Sequence, residues 1–437
     1  MKLLVIGGGW AGIAAAMEGA RKGHDVTLVE ERPYIGGRAR SFADRTTGDV
    51  IDNGQHVMMG CYHELLRICR DLGTEHHLER QQALRVAFVD PRRGRHVLDA
   101  GMLPGRLGMA LGLLRLGSMP IMARVAIVRQ ATRILVSPDS AKGLTCSELF
   151  ARSRQPREAI ERFWEPLILA TLNAPVETAS AEMLCAVLRL AFFGSTTDAT
   201  LLIPTAGLSD LVEPFPAWLD QRGGRVLLST GVERINLLQG RAVSVELSDT
   251  TTLQADAIVC ATPLRAMDRL MRASGIDMPP MPEVQMSPIV SLYLWYDRQW
   301  MDTDFAAALS TTVQWVFNKE RIAKGLVALT VSSASDIVGM PTEEVVRLCD
   351  DELRRLFPKS MSGASVRHGV VIKEKHATPL ISPTIQAMRP PSDLFRPQVR
   401  GLFIAGDWTQ TGLPATLEGA ARSGVAAIAA AQNVAQA

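Results

Sequence analysis

None of the six cysteines, Cys61, Cys69, Cys146, Cys185, Cys260 and Cys349, belongs to a CxxC pair or has a histidine companion at metal-ligand spacing. Neither a metal site nor a disulfide framework follows from that pattern, and buried free thiols in a reducing cytoplasm are expected. A dominant charge is also missing. With 47 Lys and Arg against 45 Asp and Glu, a nucleic-acid binder relying on a bulk basic surface is excluded, so any basic feature is local. No charge-free run of about 20 apolar residues occurs, which argues against a spanning helix. No signal peptide is expected, because Lys2–Ile6 already reads as a strand leading into glycines. Internal repeats and low-complexity linkers are absent. What is present is a chain of 437 residues, more than one ordinary hydrophobic core accommodates, so two interlocked domains are expected.

After the apolar run Lys2–Ile6, Gly7, Gly9 and Gly12 spell G-x-G-x-x-G, Ile13–Arg21 is an Ala-rich helix, and Asp25–Val29 is a second strand closed by Glu30. Strand, glycine turn, helix, strand and acid in that order form a dinucleotide fingerprint in its required context. Gly7 permits the tight turn, Gly9 lets a pyrophosphate approach the backbone, and Gly12 lets the helix pack on the sheet. The helix N-terminus offers unpaired N–H groups and a positive dipole end to the phosphates. Glu30 is placed to accept hydrogen bonds from the adenosine ribose. The next segment, ERPYIGGRARSF, adds Gly36, Gly37, Arg38 and Arg40. Its glycines let the chain run close to an extended cofactor, and its arginines can pair with a pyrophosphate. Shortly afterwards GDVIDNGQHVMMG supplies Asp52, Gly54, Gln55 and His56.

Three blocks, Gly7–Arg40, GVERI at Gly231–Ile235 and Gly406–Ala420, together resemble the flavoprotein family that includes amine oxidases and phytoene desaturases. The resemblance implies an α/β fold: a Rossmann-like FAD-binding domain (residues 1–85, 205–275 and 395–437) interleaved with a mixed α+β substrate-binding domain (86–204 and 276–394). Leu208–Arg222 reads as a helix and Arg225–Leu228 as a strand of the returning unit. By resemblance, Gly7, Gly9, Ala11, Gly12, Glu30, Glu31, Gly37, Arg38, Gly54, Gln55, Val232, Gly406, Asp407, Leu413, Pro414 and Ala415 hold FAD. Asp407 takes the ribityl and pyrophosphate region, Val232 flanks the adenine, and a helix beginning near Pro414 points its N-terminus at the flavin. Proline suits a first helical turn, and a helix N-terminus stabilises the negative charge of reduced flavin. GDWTQTG offers no cysteine for attachment, so the FAD is expected to be noncovalent. A surface αβ unit with a small-residue packing face is the competing reading of this last block.

The longer strings IDNGQHVMMG, FWEPLILATLNAPVETASAEM and GDWTQTGLPATLEGAARSG are similar, within that family, to the hydroxysqualene dehydroxylases of bacterial hopanoid clusters, over essentially the full chain. That likeness implies reductive removal of an allylic hydroxyl from hydroxysqualene to give squalene, with reduced FAD as hydride donor and a partner, such as a flavin reductase, that supplies the electrons. Such a pocket needs one or two polar groups in a dry tunnel. Gln55 and His56 are the first candidates to grip the hydroxyl, followed by Glu165 and Asn173 in FWEPLILATLNAP; each also has a purely structural reading. Only four tyrosines disfavour the aromatic cage of an amine substrate. From Leu103 to Val136 the chain carries Arg106, Arg115, Arg124, Arg129 and Arg133 and no acid, the composition of a helix lying on a membrane surface, although a cap over the substrate pocket shares some of it. The expected location is cytoplasmic and peripheral on the inner face of the cytoplasmic membrane. A phytoene-type desaturase and a non-catalytic prenyl-binding module remain as alternatives.

Overall fold

A computed structural model describes residues 1–103, 105–192 and 194–435. Pro104 of the arginine-rich segment and the last two residues of the 395–437 block lie outside the described residues. Five parallel strands form the first sheet, in the order Arg225–Leu227, Asp25–Val29, Lys2–Ile6, Ala257–Cys260, Leu402–Ile404. The Val/Ile/Leu-rich runs of the inner strands are buried on both faces, as parallel strands require, and only the edge strand Arg225–Leu227 is left half-exposed. In chain order the strands run 3-2-1-4-5 across the sheet, so the strand order reverses at Lys2–Ile6. The glycine turn lies at its C-terminal end, where open α/β sheets bind ligands.

The helix Trp10–Arg21 packs on this sheet beside a second helix, Leu417–Ala435. Alanine and glycine dominate both because the two backbones nearly touch: a Cβ on Gly424 would stand 2.2 Å from the carbonyl oxygen of Ala11. The small-residue face and the ligand-facing end therefore belong to one helix. It begins at Leu417, three residues beyond Pro414. Thr416 supplies the cap, its Oγ1 accepting from the Gly419 N–H at 3.1 Å, and Pro414 falls in the preceding turn. Leu208–Arg222 is likewise not one helix. Proline at 214 and 216 removes the amide donors that would join its halves, leaving a short 3-10 turn, Leu208–Leu211, and the helix Phe215–Asp220.

A second sheet of seven strands has the order Val366–Pro379, Met286–Tyr296, Leu326–Ser332, Trp315–Asn318, Phe305–Ala308, Arg85–Asp90, Gly94–Asp99. Every pairing is antiparallel except that of Phe305–Ala308 with Arg85–Asp90. Val232–Leu238, Arg241–Leu247 and Thr252–Gln254 make a separate antiparallel meander. Helices Gly105–Arg115, Ile121–Val136, Glu165–Leu172 and Ala181–Phe192 contribute to the core on one face of the large sheet. All six cysteines are buried free thiols.

Candidate active site

One cavity of about 1230 Å³ connects the fingerprint turn to the face of the seven-stranded sheet. At the fingerprint end its shape is set by missing side chains. Gly7 has φ +106°, and a Cβ there would lie 2.7 Å from the Ala261 carbonyl oxygen; a Cβ on Gly12 would lie 1.8 Å from that of Gly7. Gly12 therefore packs the helix down without lining the cavity. Gly36 donates its N–H to the Gly8 carbonyl at 2.8 Å, and a Cβ on Gly37 would come within 3.0 Å of the Gly9 Cα. The second glycine pair thus lies directly against the first. Buried Glu30 accepts from the Gly8 N–H at 2.5 Å through one carboxylate oxygen and from the Arg32 N–H at 2.8 Å through the other. Those bonds fix its carboxylate in the cavity wall, where its remaining lone pairs can accept from a ribose. Glu31 also lines the wall but is exposed beside Arg32. Val232, at the start of the meander, lines the same end.

Arg38 donates to Asp407 at 2.7 Å and to the Ala377 carbonyl at 2.7 Å, and the Asp407 carboxylate raises its already high pKa. The GGR segment and the C-terminal block are thereby joined. Gly406, Asp407 and Ala415 line the cavity; Leu413 and Pro414 do not, lying instead on a small cleft behind it. The reason is Arg389, whose guanidinium donates to the carbonyl oxygens of Leu413 and Asp407 and to Thr411 Oγ1, drawing the loop away from the cavity. Burial lowers its pKa to about 10. Glu418 is 1 % exposed and accepts from the Glu64 and Leu65 N–H groups, capping the helix His63–Leu72, while Arg422 bonds it at 2.7 Å.

Of the polar residues expected near the reacting carbon, Gln55, His56 and Asn173 line the cavity, as does Gly54, expected as a cofactor contact. Gln55 donates to the buried Tyr293 hydroxyl, which also accepts from the Asp52 N–H at 2.9 Å. His56 Nδ1 lies 3.1 Å from the Gly54 carbonyl oxygen, an acceptor only, so Nδ1 carries the proton and Nε2 of the neutral ring is free to accept. Burial pushes the His56 pKa down, against the pull of Asp52 and with the help of Lys319 and Arg38. Asn173 ends the helix Glu165–Leu172 in the left-handed region at φ 48°. Its amide donates to the Ser287 carbonyl and to Thr378 Oγ1, and its oxygen accepts from the Ser333 N–H at 2.7 Å. That side chain is fully engaged in tying three strand ends together. Glu165 does not line the cavity; it is half-buried beside Glu161 and Glu177, and burial chiefly, then those two acids, raises its pKa.

The fingerprint end fits a dinucleotide on its own geometry: a backbone trough bare of side chains at Gly7, Gly9 and Gly37, a buried carboxylate at the end of the second strand, and a directly bonded guanidinium–carboxylate pair in its wall. The family of flavin containing amine oxidoreductases matches residues 10–434. The chain belongs to that family. It is 30% identical over 434 residues to a hydroxysqualene dehydroxylase of Rhodopseudomonas palustris, covering 96% of each chain. A zeta-carotene desaturase of Zea mays is 26% identical, over 97% of this chain and 82% of its own. An oxidoreductase from Methanosarcina mazei superposes with a TM-score of 0.74 at 15% identity, over 99% of this chain and 100% of that one.

The protein is thus an FAD-dependent oxidoreductase, and two contributors to its site escaped the sequence. Arg389 sits in the unremarkable string QAMRPPSD, where nothing marks it as the anchor of a loop some twenty residues on. Tyr293 lies inside a strand that reads as ordinary core, yet its hydroxyl is the shared acceptor under the IDNGQH loop. A scarce Tyr in a largely apolar strand was the available signal, since buried hydroxyls find partners.

Proposed function

We propose that this flavoprotein reductively dehydroxylates hydroxysqualene to squalene. The observation that carries the reading is the wall beyond the cradle, where Phe88, Leu98, Leu113, Phe163, Phe305 and Phe317 make an apolar chamber continuous with the fingerprint end. A long hydrocarbon fits such a chamber, and the dehydroxylase relative supports the choice. When bound in reduced form, FAD supplies the hydride. The chain must keep water from the allylic carbon, hold the C–O bond, and provide for the proton with which the oxygen leaves as water. The apolar walls perform the first task. Gln55, held on Tyr293, presents the loop, and His56 turns Nε2 toward whatever hydroxyl lies there. In its neutral form that nitrogen accepts a proton; it donates one only after protonation, which burial opposes.

The same chain is proposed to work on a membrane surface. Leu107, Ile121, Met122, Val125 and Val136 are each more than 45% exposed on the two helices Gly105–Arg115 and Ile121–Val136, while Met109, Leu113 and Ile127 of the same helices line the cavity. Cap and surface contact are thus two faces of one helix pair, with Arg115, Arg129 and Arg133 exposed around the apolar side. Arg124 serves otherwise: it donates to the Leu114 and Met119 carbonyls and caps the end of the first helix. Among the described residues no helix is long and apolar enough to cross a membrane.

A desaturase reading is favoured by the zeta-carotene desaturase relative and reverses the direction of hydride transfer. Anaerobic incubation of dithionite-reduced holoenzyme with hydroxysqualene separates the two. Squalene formation with stoichiometric flavin reoxidation is expected. A protein whose flavin instead becomes reduced by phytoene, and is not reoxidised by hydroxysqualene, is a desaturase.

A further inference from the structure

Among the described residues, three side chains that line the cavity hold a buried polar atom without a hydrogen-bond partner: Trp10 at the fingerprint, and Trp315 and Thr330 on the large sheet. Buried orphans are rare in folded proteins, and each calls for an explanation. Trp315 and Thr330 are directly opposite each other on neighbouring antiparallel strands. Both belong to the wall otherwise built from Phe305, Phe317 and Ile372. Thr330 is 9% exposed, and neither its Oγ1 nor the indole Nε1 of Trp315 is bonded to protein.

Their place in the sheet is informative. Thr330 is also paired with Ser291 on the other neighbouring strand, and Gly54 stands against Ser291, a Cβ on Gly54 reaching 3.6 Å from the serine oxygen. The orphan pair therefore lies one strand away from the loop that carries Gln55 and His56. An indole N–H can only donate, whereas a threonine hydroxyl both donates and accepts. Both atoms carry almost no open surface, so a side-chain rotation must turn them to the chamber; there one alcohol oxygen accepts from Trp315 Nε1–H and from the Thr330 O–H, leaving its own O–H for His56 Nε2.

We propose that Trp315 and Thr330 are the alcohol-recognition pair of the substrate chamber, selecting a hydroxylated isoprenoid over its parent hydrocarbon and fixing the direction of the C–O bond. The proposal rests on the alcohol substrate assigned above. Neither group changes its protonation state, so the pair orients the hydroxyl and leaves the proton to another source. Sites that hydrogen-bond a substrate hydroxyl reject the analogue lacking it, because their own polar groups are then left unpaired.

The test reads binding, not turnover. Oxidised holoenzyme is titrated with hydroxysqualene and with squalene in the same detergent, following the flavin absorbance shift and, independently, equilibrium partitioning of radiolabelled ligand. Wild type should prefer the alcohol by about 5–30-fold in Kd. In Thr330→Val, nearly equal in shape, and in Trp315→Phe the ratio should fall toward one, with squalene affinity, flavin content and Tm retained in the threonine variant; Thr330→Ser should restore the preference. Unchanged preference in both variants overturns the assignment and leaves the substrate reading standing. Equal loss of affinity for alcohol and hydrocarbon in Thr330→Val also overturns it, revealing a packing role. A wild type that binds neither ligand, or does not discriminate between them, overturns the substrate reading and the pair together.

Discussion

The fingerprint end of the cavity is walled largely by backbone, and the far end by side chains. At the first, Gly7, Gly9, Gly37 and Gly406 bring main chain to the surface, and the acids there are already engaged, Glu30 on two N–H groups and Asp407 on Arg38. At the second, aromatic and aliphatic side chains from the seven-stranded sheet and four helices meet, and the polar atoms of Trp315 and Thr330 are left unpartnered. A ligand common to a whole family is held by conformational features that few residues can supply. A ligand particular to one branch is held by contacts that tertiary packing assembles from distant strands. The first kind of site tolerates almost no substitution; the second is open to graded change.

Breaking the backbone end should therefore produce the largest effect. A side chain at position 12 has no room, since its Cβ would sit 1.8 Å from the Gly7 carbonyl oxygen, and that obstacle is main chain. Gly12→Val is expected to yield protein without bound flavin, destabilised by about 3 kcal/mol or more, as overpacking against rigid neighbours does. Flavin absorbance of the purified variant and a denaturant melt check both. The next effect is smaller because it removes hydrogen bonds alone: Glu30→Ala should weaken FAD binding by about 1–3 kcal/mol, measured by titrating apoprotein with FAD. In the same preparation, acid precipitation of wild type should leave the yellow colour in the supernatant; flavin retained on the pellet would contradict noncovalent binding.

Asn173 and Glu165 sharpen the contrast at the side-chain end. Asn173 makes three hydrogen bonds to separate segments and is buried, so Asn173→Ala should lower stability by about 1–3 kcal/mol. Glu165 is half-buried near two other acids, and burial together with their charge raises its pKa. A carboxyl raised above its unfolded value opposes folding once ionised, so Glu165→Gln should leave stability at neutral pH unchanged or slightly increased. Urea unfolding at pH 7 distinguishes them.

Much of the fold was legible because its determinants are local. G-x-G-x-x-G between two apolar runs fixes strand, turn and helix within thirty residues, and Glu30 falls where the second strand must end. The errors at Leu208–Arg222 and Pro414 arose where proline and a threonine cap overrode an apolar period that is otherwise helical. The site was legible only as far as its parts lie near one motif. Gln55 and His56 stand two and three residues beyond Asn53 in a loop whose spelling draws attention. Arg389, Tyr293, Trp315 and Thr330 are ordinary residues until the sheet order sets them beside that loop.

The outer face of the helix pair gives a weaker effect, graded by charge. Arg115→Glu with Arg133→Glu removes two exposed arginines while leaving Arg124 and its cap in place. Flotation with anionic liposomes should fall by about 1 kcal/mol for each arginine that reaches the surface, and the difference should shrink as salt is raised. Identical flotation of wild type and variant at low salt would remove the electrostatic part of the membrane proposal.

The smallest expected effect concerns His56, where loop and chamber meet. Its pKa is lowered in the folded protein, first by burial and then by Lys319 and Arg38, with the Gly54 carbonyl and Asp52 opposing. As pH falls below about 6.5, the unfolded chain takes up this proton before the folded one does. Stability is therefore lost progressively from about pH 6.5 down to the folded pKa, at less than about 1.4 kcal/mol per pH unit, and the loss ceases below it. His56→Phe should remove that slope, so that the difference in unfolding free energy between variant and wild type is constant above pH 7 and changes below 6.5. Urea unfolding at pH 7.5 and 5.5 measures it. The same lowered pKa bears on the chemistry. If protonated His56 supplies the departing hydroxyl with its proton, anaerobic reoxidation of reduced flavin by hydroxysqualene should accelerate in wild type as pH falls from neutrality toward the lowered folded pKa and stay flat in His56→Phe. Parallel pH profiles in the two proteins would assign the proton to a group other than His56.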